Sequence, residues 1–296
     1  MALWPVGTKE SASPVKSLSP EQRASLRAVV ANIKYELIPL KNVRDQAAAV
    51  PPRSRVTVTA SPAHGMEATL EVSEFVAGLG HEVTPHLSAR MIRDRAHLAD
   101  LLARAKAIGL RHAFIVGGDA KEPGEFADGL ALLRAIHEMG NPFDDLGFPS
   151  YPEGHADISD EVLMQALKDK QQYANQTTTQ MCFNPSRVEA WIKRVRAEGV
   201  TLPIYLGVPG VLELTKLMTI AARIGVADSA RYLSKNLGLL GHLASPGSFG
   251  ADAYLTSLAD TLAEPATNVA GLHVFTMNQV PATAAWHQRM QDELRD

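Results

Sequence analysis

The chain has 296 residues, 46% of them hydrophobic, which is enough to bury the core of one α/β barrel or of two smaller domains. Its formal net charge is −3 with acids and bases interspersed, which excludes a basic stripe for nucleic acid or a polybasic membrane patch and favours a small-molecule partner. The single cysteine, Cys182, excludes an intramolecular disulfide and a cysteine-based zinc site, and with no apolar run of about 20 residues and no signal-peptide core the sequence predicts a cytoplasmic protein.

The first 19 residues are rich in Ser, Pro and Lys and lack a sustained apolar period. They are expected to form a mobile tail that carries no chemistry. Ser19-Pro20-Glu21 marks a helix start, because Ser favours the N-cap position and Pro the first helical turn. No low-complexity linker divides the chain after that point, so residues 20–296 are predicted to form one catalytic domain.

Beyond the first helix, short β-like runs alternate with amphipathic helical stretches. The helical period is clearest in 94–108 and 158–173, where apolar residues recur on one face. Glycines follow several helix ends, where a left-handed backbone is common. These are Gly80, Gly109, Gly140 and Gly199. The predicted strands are 32–38, 55–60, 82–87, 112–116, 146–150, 176–182, 202–207 and 270–275.

Eight strands, each followed by a helical stretch, favour parallel pairing with right-handed crossovers. This number predicts closure into a (β/α)8 TIM barrel rather than an open sheet. The last connection, 208–269, is long enough to hold extra helices near the C-terminus. In such a barrel the active site lies at the carboxyl ends of the strands, so polar residues at these ends are the candidates for chemistry.

Glu36 is the clearest candidate for acid–base chemistry. It is surrounded in the chain by the apolar residues Ile33, Tyr35, Leu37 and Ile38, and a carboxylate among apolar side chains is costly to desolvate. Such surroundings favour the neutral carboxylic acid, which is the form that donates a proton. The structural alternative is a carboxylate that faces water or pairs with an arginine.

Further polar residues follow other predicted strands. Tyr151-Pro152-Glu153-Gly154-His155 comes after strand five and His86 ends strand three, and a histidine at either place could donate to a phosphate, a carbonyl or a ring nitrogen. Asp119, after Gly117-Gly118, could accept hydrogen bonds from an amino-substituted heterocycle. Gln180 offers a donor and an acceptor together, although a buried glutamine that satisfies backbone groups is the alternative.

Several common motifs are absent from the sequence: a phosphate-binding loop, the Rossmann glycine fingerprint, His-Glu-x-x-His and a nucleophile elbow. Dinucleotide binding through a Rossmann fingerprint is therefore unsupported. The histidines show no spacing typical of metal ligands, and no bound metal is predicted. His64, His81, His97 and His112 are interpreted as surface or packing residues.

Taken in order, these segments resemble the 5,10-methylenetetrahydrofolate reductase family, whose catalytic domain is a (β/α)8 barrel. Each motif is short, but their common order, across roughly residues 30–280, makes the resemblance specific. The matching segments are Tyr35-Glu36-Leu37-Ile38-Pro39, Val58-Thr59, Pro85-His86-Leu87-Ser88, Gly117-Gly118-Asp119, Tyr151-Pro152-Glu153-Gly154-His155, Thr179-Gln180 and His273-Val274-Phe275-Thr276-Met277-Asn278.

The resemblance implies reduction of 5,10-methylenetetrahydrofolate to 5-methyltetrahydrofolate, a step in one-carbon metabolism and methionine biosynthesis. Glu36 would be the general acid that opens the five-membered ring of the folate and leaves an electrophilic iminium. Asp119, Gln180 and Phe275 would bind the folate. The family's FAD site corresponds here to Thr59, His86, Asp119, Tyr151, His155 and Lys170.

Two cationic positions of that flavin site are missing. Gly117 replaces the arginine before Gly-Asp, and Asp169 replaces the arginine that precedes Lys170. A diphosphate prefers guanidinium groups, and a carboxylate beside Lys170 would oppose it. The resemblance therefore favours the flavin-independent branch of the family, in which NADH passes hydride directly to the folate iminium; an FAD-dependent enzyme is the alternative. If the enzyme is flavin-independent, the residues expected to hold NADH are Thr59, His86, Tyr151, His155 and Lys170.

Two other classes of protein stay open at this point: a folate-binding barrel without turnover, and another barrel enzyme such as an aldolase. Glu36 argues against a pure binder, which has no need of a shielded acid beside the reacting carbon. A Schiff-base aldolase needs a lysine at a strand end, and none of the predicted strand ends presents one convincingly. The sequence leaves open the oligomeric state and the preference between NADH and NADPH.

Overall fold

The computed structural model describes residues 14–223, 248–249 and 251–295. Eight parallel strands form a closed barrel in the order β1-β10-β7-β6-β5-β4-β3-β2. These strands are β1 Ile33–Leu37, β2 Arg55–Val58, β3 Glu82–Ser88, β4 His112–Val116, β5 Asp145–Ser150, β6 Gln176–Thr179, β7 Ile204–Pro209 and β10 Val269–Phe275. A short antiparallel pair, β8 Leu212–Glu213 and β9 Ser248–Phe249, lies outside the barrel sheet.

The (β/α)8 TIM barrel predicted from the sequence is confirmed. Each of the eight predicted strands overlaps one barrel strand, and the differences are at the ends. The sixth strand stops at Thr179 rather than at 182, so Gln180 belongs to the following loop. The seventh extends to Pro209, two residues beyond its predicted end.

The helices occupy the predicted places around the barrel. The first begins after Ser19, whose side chain accepts from the backbone of Gln22 while the Gln22 side chain accepts from the backbone of Ser19. All four predicted glycines have a positive φ. The helices are Pro20–Ala31, Val43–Ala48, α3 Gly65–Gly78, α4 Arg95–Ile108, α5 Gly129–Glu138, α6 Asp160–Lys170, α7 Pro185–Ala197, α8 Leu214–Arg223, Asp252–Ser257, Ala259–Ala263 and Val280–Arg295.

The predicted extra helices are present in the described parts of the 208–269 connection, while residues 224–247 and 250 lie outside the described residues. Of the predicted tail, residues 1–13 also lie outside them. Residues 14–17 form a 3-10 turn in which Val15 is fully buried. The division into a tail and one catalytic domain stays a prediction. No helix among the described residues is long and apolar enough to cross a membrane.

Successive side chains of β1 alternate between the surrounding helices and the interior of the barrel. Tyr35 points outward to the surrounding helices, where its hydroxyl lies 2.7 Å from Nδ1 of His287 on the last helix. Leu37 is fully buried on the same side. Burial of a side chain of this size contributes about 1.5–3 kcal/mol. Lys34 and Glu36 therefore point into the barrel, because successive side chains of a strand face opposite ways.

A hydrogen-bonded network closes the amino-terminal end of the barrel. Lys34 donates to the amide oxygen of Gln176, and its ammonium lies 3.7 Å from the centre of the Tyr205 ring. Gln176 donates in turn to Asp145. His112 lies 3.5 Å from carboxylate oxygens of both Asp145 and Glu82. We call this set the barrel-floor network: Lys34, Arg55, Glu82, His112, Asp145, Gln176 and Tyr205.

Candidate active site

A second group of polar side chains lies inside the barrel above this floor. Glu36 on β1 is only 5% exposed, and its Oε2 lies 2.9 Å from Nε2 of His273 on β10. His86 on β3 joins them, with one donor atom of each residue within 4.8 Å of the others. We call these three residues the Glu36 cluster. β10 pairs with β1 on one side, and β3 lies beyond β2 on the other, so the three side chains meet because all of them point into the barrel.

The expectation that apolar chain neighbours surround the Glu36 carboxyl is wrong. Tyr35 and Leu37 face the helices, because alternate residues of a strand point away from each other. The carboxyl group is nevertheless buried, among His273, His86 and the residues of neighbouring strands. Its shielding therefore comes from other strands of the barrel, and its direct partner, His273, is polar.

His86 is held in its neutral form. Burial lowers the pKa of His86 to about 3, and positive charge nearby, such as the Lys34 ammonium, acts in the same direction. Its ring packs at 4.8 Å from that of Phe114, and its Nε2 is buried with no hydrogen-bond partner among the described residues. This histidine was predicted to bind the dinucleotide; the structure places it beside the catalytic candidate Glu36.

The donors of the Glu36 cluster are of the kind that bind zinc. Two atoms bound to one zinc ion at about 2.1 Å each can be at most about 4.2 Å apart. The candidate ligand atoms of the cluster all lie within 4.8 Å of one another, which is close to that value. The direct contact between Glu36 and His273 already gives each of them a partner without a metal. The absence of a bound metal stays a prediction.

Gln180 and Phe275, the predicted folate contacts, lie close to this cluster. The Phe275 ring packs at 4.8 Å from that of His273, and Phe275 is the register partner of Glu36. Gly207 on β7 makes room for both, since a Cβ there would lie 2.8 Å from the Phe275 ring and 3.2 Å from the backbone of Gln180. The structure therefore brings Glu36, Phe275 and Gln180 to one region of the barrel.

Asp119 lies in the loop after β4 and is exposed. Gly118 brings this loop against the end of β3: its φ is +88°, and a Cβ there would lie 1.9 Å from Oγ of Ser88. Arg90 holds the loop from outside by donating to the carbonyls of Ala120 and Lys121 at 2.7 and 3.1 Å. Sequence reasoning missed Arg90, whose contacts are to backbone atoms and leave no motif.

Tyr151 and His155 follow β5 in one turn. Their rings meet edge to face at 5.3 Å. Burial, and then the negative charge of Asp119, raises the pKa of Tyr151. His155 itself is exposed, and its Nδ1 accepts from the backbone of Asp157 at 3.1 Å.

A cavity of about 140 Å³ lies between α6 and α7 and reaches the turn at Tyr151. Lys170 lines it with its ammonium 5.3 Å from the ring centre of Phe148, and burial, partly opposed by Asp128, lowers the pKa of this lysine. Arg187, Trp191 and Arg194 of α7 also line the cavity. We call it the α6–α7 cavity. Of the predicted cofactor residues it contains Tyr151 and Lys170; Thr59 lies apart, half-buried after β2, where its amide donates to Leu37.

The cations of α7 were not predicted from the sequence. They follow β6 in the chain, so nothing in their local sequence connects them with the turn after β5. Asp169, expected to oppose an anion beside Lys170, accepts instead from Gln165 at 2.7 Å on its own helix and is not among the residues that line the cavity. The α6–α7 cavity therefore has more positive charge than is suggested by Gly117 and Asp169, which stand where the family has arginines.

Comparison with known proteins places the chain in a family. Residues 40–291 match the family described as methylenetetrahydrofolate reductase. The chain is 28% identical over 116 residues to "Methylenetetrahydrofolate reductase 1" of Schizosaccharomyces pombe, covering 36% of this chain and 19% of that protein. It is 29% identical over 129 residues to "Probable methylenetetrahydrofolate reductase (NADPH)" of Caenorhabditis elegans, covering 40% and 19%. The matched region thus spans about a fifth of the length of each relative. The resemblance seen in the motifs is confirmed, and the chain belongs to the methylenetetrahydrofolate reductase family.

Proposed function

We propose that this protein reduces 5,10-methylenetetrahydrofolate to 5-methyltetrahydrofolate with hydride taken directly from NADH, without flavin. The observation that carries the proposal is the buried carboxyl of Glu36, held at 2.9 Å by His273 and flanked by Phe275 inside the barrel of a chain from this family. A folate-binding barrel without turnover would have no use for an acid in this position.

Glu36 acts as the general acid. It protonates the ring nitrogen that leaves the bridging carbon, the bond between them breaks with its electrons on that nitrogen, and the second nitrogen forms the iminium. The hydride of NADH then adds to the iminium carbon. The strands hold the acid rigidly, since its backbone carbonyl also accepts from the Thr276 hydroxyl.

The folate is recognised by two loops above the acid and by the end of β10. Gln180 accepts from the amide of Met181 at 2.9 Å, and its amide NH2 group makes no hydrogen bond among the described residues, so it can donate to the pterin. Asp119 supplies a carboxylate that accepts from the pterin's amino and ring N–H groups. The Phe275 ring provides an apolar surface beside them. These three roles follow from the family resemblance and from their placement.

Tyr151 and His155 would hold the dinucleotide on this side of the barrel, and the α6–α7 cavity would receive its phosphates. Lys170, Arg187 and Arg194 line this cavity with cations of the kind that a diphosphate prefers, and Arg194 also lies 3.5 Å from Asp160, which lines the cavity too. The same cations favour a second candidate, an FAD-dependent reductase, because a flavin dinucleotide also carries a diphosphate. NADH alone is proposed because Gly117 removes a family arginine from the other side of the site.

The visible absorption spectrum of the purified protein separates the two candidates. We expect a colourless protein that oxidises NADH when methylenetetrahydrofolate is added and flavin is not, with methyltetrahydrofolate formed in equal amount. Stoichiometric FAD, seen as flavin absorbance that follows the protein through chromatography, would establish the flavin-dependent alternative.

Replacement of the acid tests the mechanism. Glu36→Gln is nearly isosteric and keeps an oxygen that can accept from His273, so the fold and ligand binding should survive. Turnover should fall at least ~100-fold, the usual scale for a positioned general acid. Glu189→Gln, on the exposed face of α7, is the matched control and should leave turnover unchanged. An unaltered rate in Glu36→Gln would assign this residue to structure.

A further inference from the structure

The two oxygens of the Glu36 carboxyl have different surroundings. Oε2 lies 2.9 Å from Nε2 of His273. Oε1 has no hydrogen-bond partner among the described residues. A carboxylic acid carries its proton on one oxygen, so the group that occupies Oε2 determines which oxygen can deliver the proton.

The tautomer of His273 follows from its other nitrogen. Nδ1 is buried and has no hydrogen-bond partner among the described residues. A neutral imidazole has one N–H group and one lone pair, and a buried N–H without an acceptor is rarer in proteins than an unsatisfied acceptor. The proton of His273 therefore belongs on Nε2, where it points at Oε2 of Glu36.

We propose that His273 is a positioning residue that donates from Nε2 to Oε2 of Glu36 and so places the transferable proton on Oε1, the oxygen that faces the folate. Two hydrogens cannot share the short gap between Nε2 and Oε2, so the neutral acid is protonated at Oε1. This proton passes to the leaving nitrogen of the folate. The carboxylate that remains keeps its bond from His273, which becomes stronger once the acceptor is charged. The inference rests on the proposed reductase activity.

None of the other charged and titratable groups around Glu36 and His273 supplies a proton to this pair or accepts one from it. His86 is neutral near pH 7, because burial lowers its pKa to about 3. Lys34 lies below, at the floor, where it is bound to Gln176. The carboxylates of Glu82 and Asp145 are occupied by His112 and other floor residues. No further acid among the described residues touches His273, so Glu36 is its acceptor.

The first test reads the tautomer in resting protein, without turnover. Histidine labelled with ¹⁵N gives distinct nitrogen shifts for the two tautomers and for the imidazolium, and the His273 signals are assigned as those that vanish in His273→Gln. We expect a neutral ring protonated on Nε2. An Nδ1–H tautomer or an imidazolium at pH 7 overturns the proposal.

The second test separates donation from packing. His273→Leu removes the donor, and His273→Gln keeps an N–H near the position of Nε2. With circular dichroism confirming a folded protein, His273→Leu should slow single-turnover NADH oxidation about 10- to 150-fold, the range for a hydrogen bond to a charged group. Its pH–rate profile should shift while the Michaelis constants for folate and NADH stay within about threefold of the wild type. His273→Gln should recover most of the rate. His137→Leu, an exposed histidine on α5, is the control and should leave the rate unchanged.

Several results would count against His273 as the donor to Glu36. Equal losses in the Gln and Leu variants would show a packing role, and a wild-type rate in His273→Leu would remove any role. One equivalent of divalent metal in purified protein, lost in His273→Leu, would make His273 a ligand instead. A wild-type protein without folate turnover would refute the reductase; the tautomer measurement would then decide the Glu36–His273 bond by itself.

Discussion

Lys34 gives a quantitative test of the barrel interior. Burial lowers the pKa of this lysine from 10.5 to about 8, with Asp145 opposing the shift. The folded protein therefore disfavours the charged lysine, whereas the unfolded chain does not. Below about pH 8 Lys34 is protonated in both the folded and the unfolded protein, and the folded protein carries the full cost of the buried charge. Between about pH 8 and 10.5 Lys34 is neutral in the folded protein but still charged in the unfolded chain, so stability rises with pH.

The size of the effect follows from the two pKa values. A difference of about 2.5 pH units, at 1.36 kcal/mol each, corresponds to about 3 kcal/mol of unfolding free energy. Lys34→Met removes this penalty at pH 7 but also the bond to Gln176 and the cation over Tyr205. These losses amount to about 1–3 and about 2 kcal/mol, so the variant should lie within about 2 kcal/mol of the wild type at pH 7.

The assay is urea unfolding at pH 7, 8, 9 and 9.5, followed by circular dichroism. The wild type should gain about 2 kcal/mol over Lys34→Met between pH 8 and 9.5, from the same pKa difference. The range stops below pH 10, because burial raises the pKa of Tyr35 and the unfolded chain then loses its tyrosine proton first, which lowers stability. Lys193→Met, on the exposed face of α7, should match the wild type at every pH. Parallel pH curves for wild type and Lys34→Met would refute the buried, disfavoured charge.

Further substitutions probe the loops proposed to recognise the folate. Gln180→Ala should raise the Michaelis constant for folate about 5- to 150-fold with little change in that for NADH. Normal folate binding with loss of NADH binding in this variant would show that the folate and NADH halves of the site are reversed. Asp119→Asn should lower turnover if the charge of Asp119 supports the iminium cation. Gly118→Ala should lower stability by about 1–3 kcal/mol and reduce turnover, because its Cβ would collide with Ser88; a thermal-unfolding midpoint equal to that of the wild type would show that this loop adjusts freely.

The sequence predicted the barrel well because its signals are local. The apolar period marks each strand and helix, and Gly109 or Ser19 marks an end by its own backbone preference. Which side chains meet inside the barrel depends on the stagger between strands. The sequence therefore could not show that His86 lies beside Glu36, or that Lys34 and Gln176 meet across the floor.

Glycines on the inner face explain why this barrel can hold a polar cluster instead of the usual layers of aliphatic side chains. A Cβ on Gly147 would lie 2.9 Å from the Phe114 ring, and one on Gly207 would lie 2.8 Å from the Phe275 ring. The Phe114 ring packs on His86 and the Phe275 ring on His273, each with 4.8 Å between ring centres. Each glycine therefore admits an aromatic ring that supports one histidine of the Glu36 cluster. The acid is fixed by strands, while the polar contacts proposed for the folate come from the loops that carry Asp119 and Gln180, so these two parts of the site can change independently in sequence.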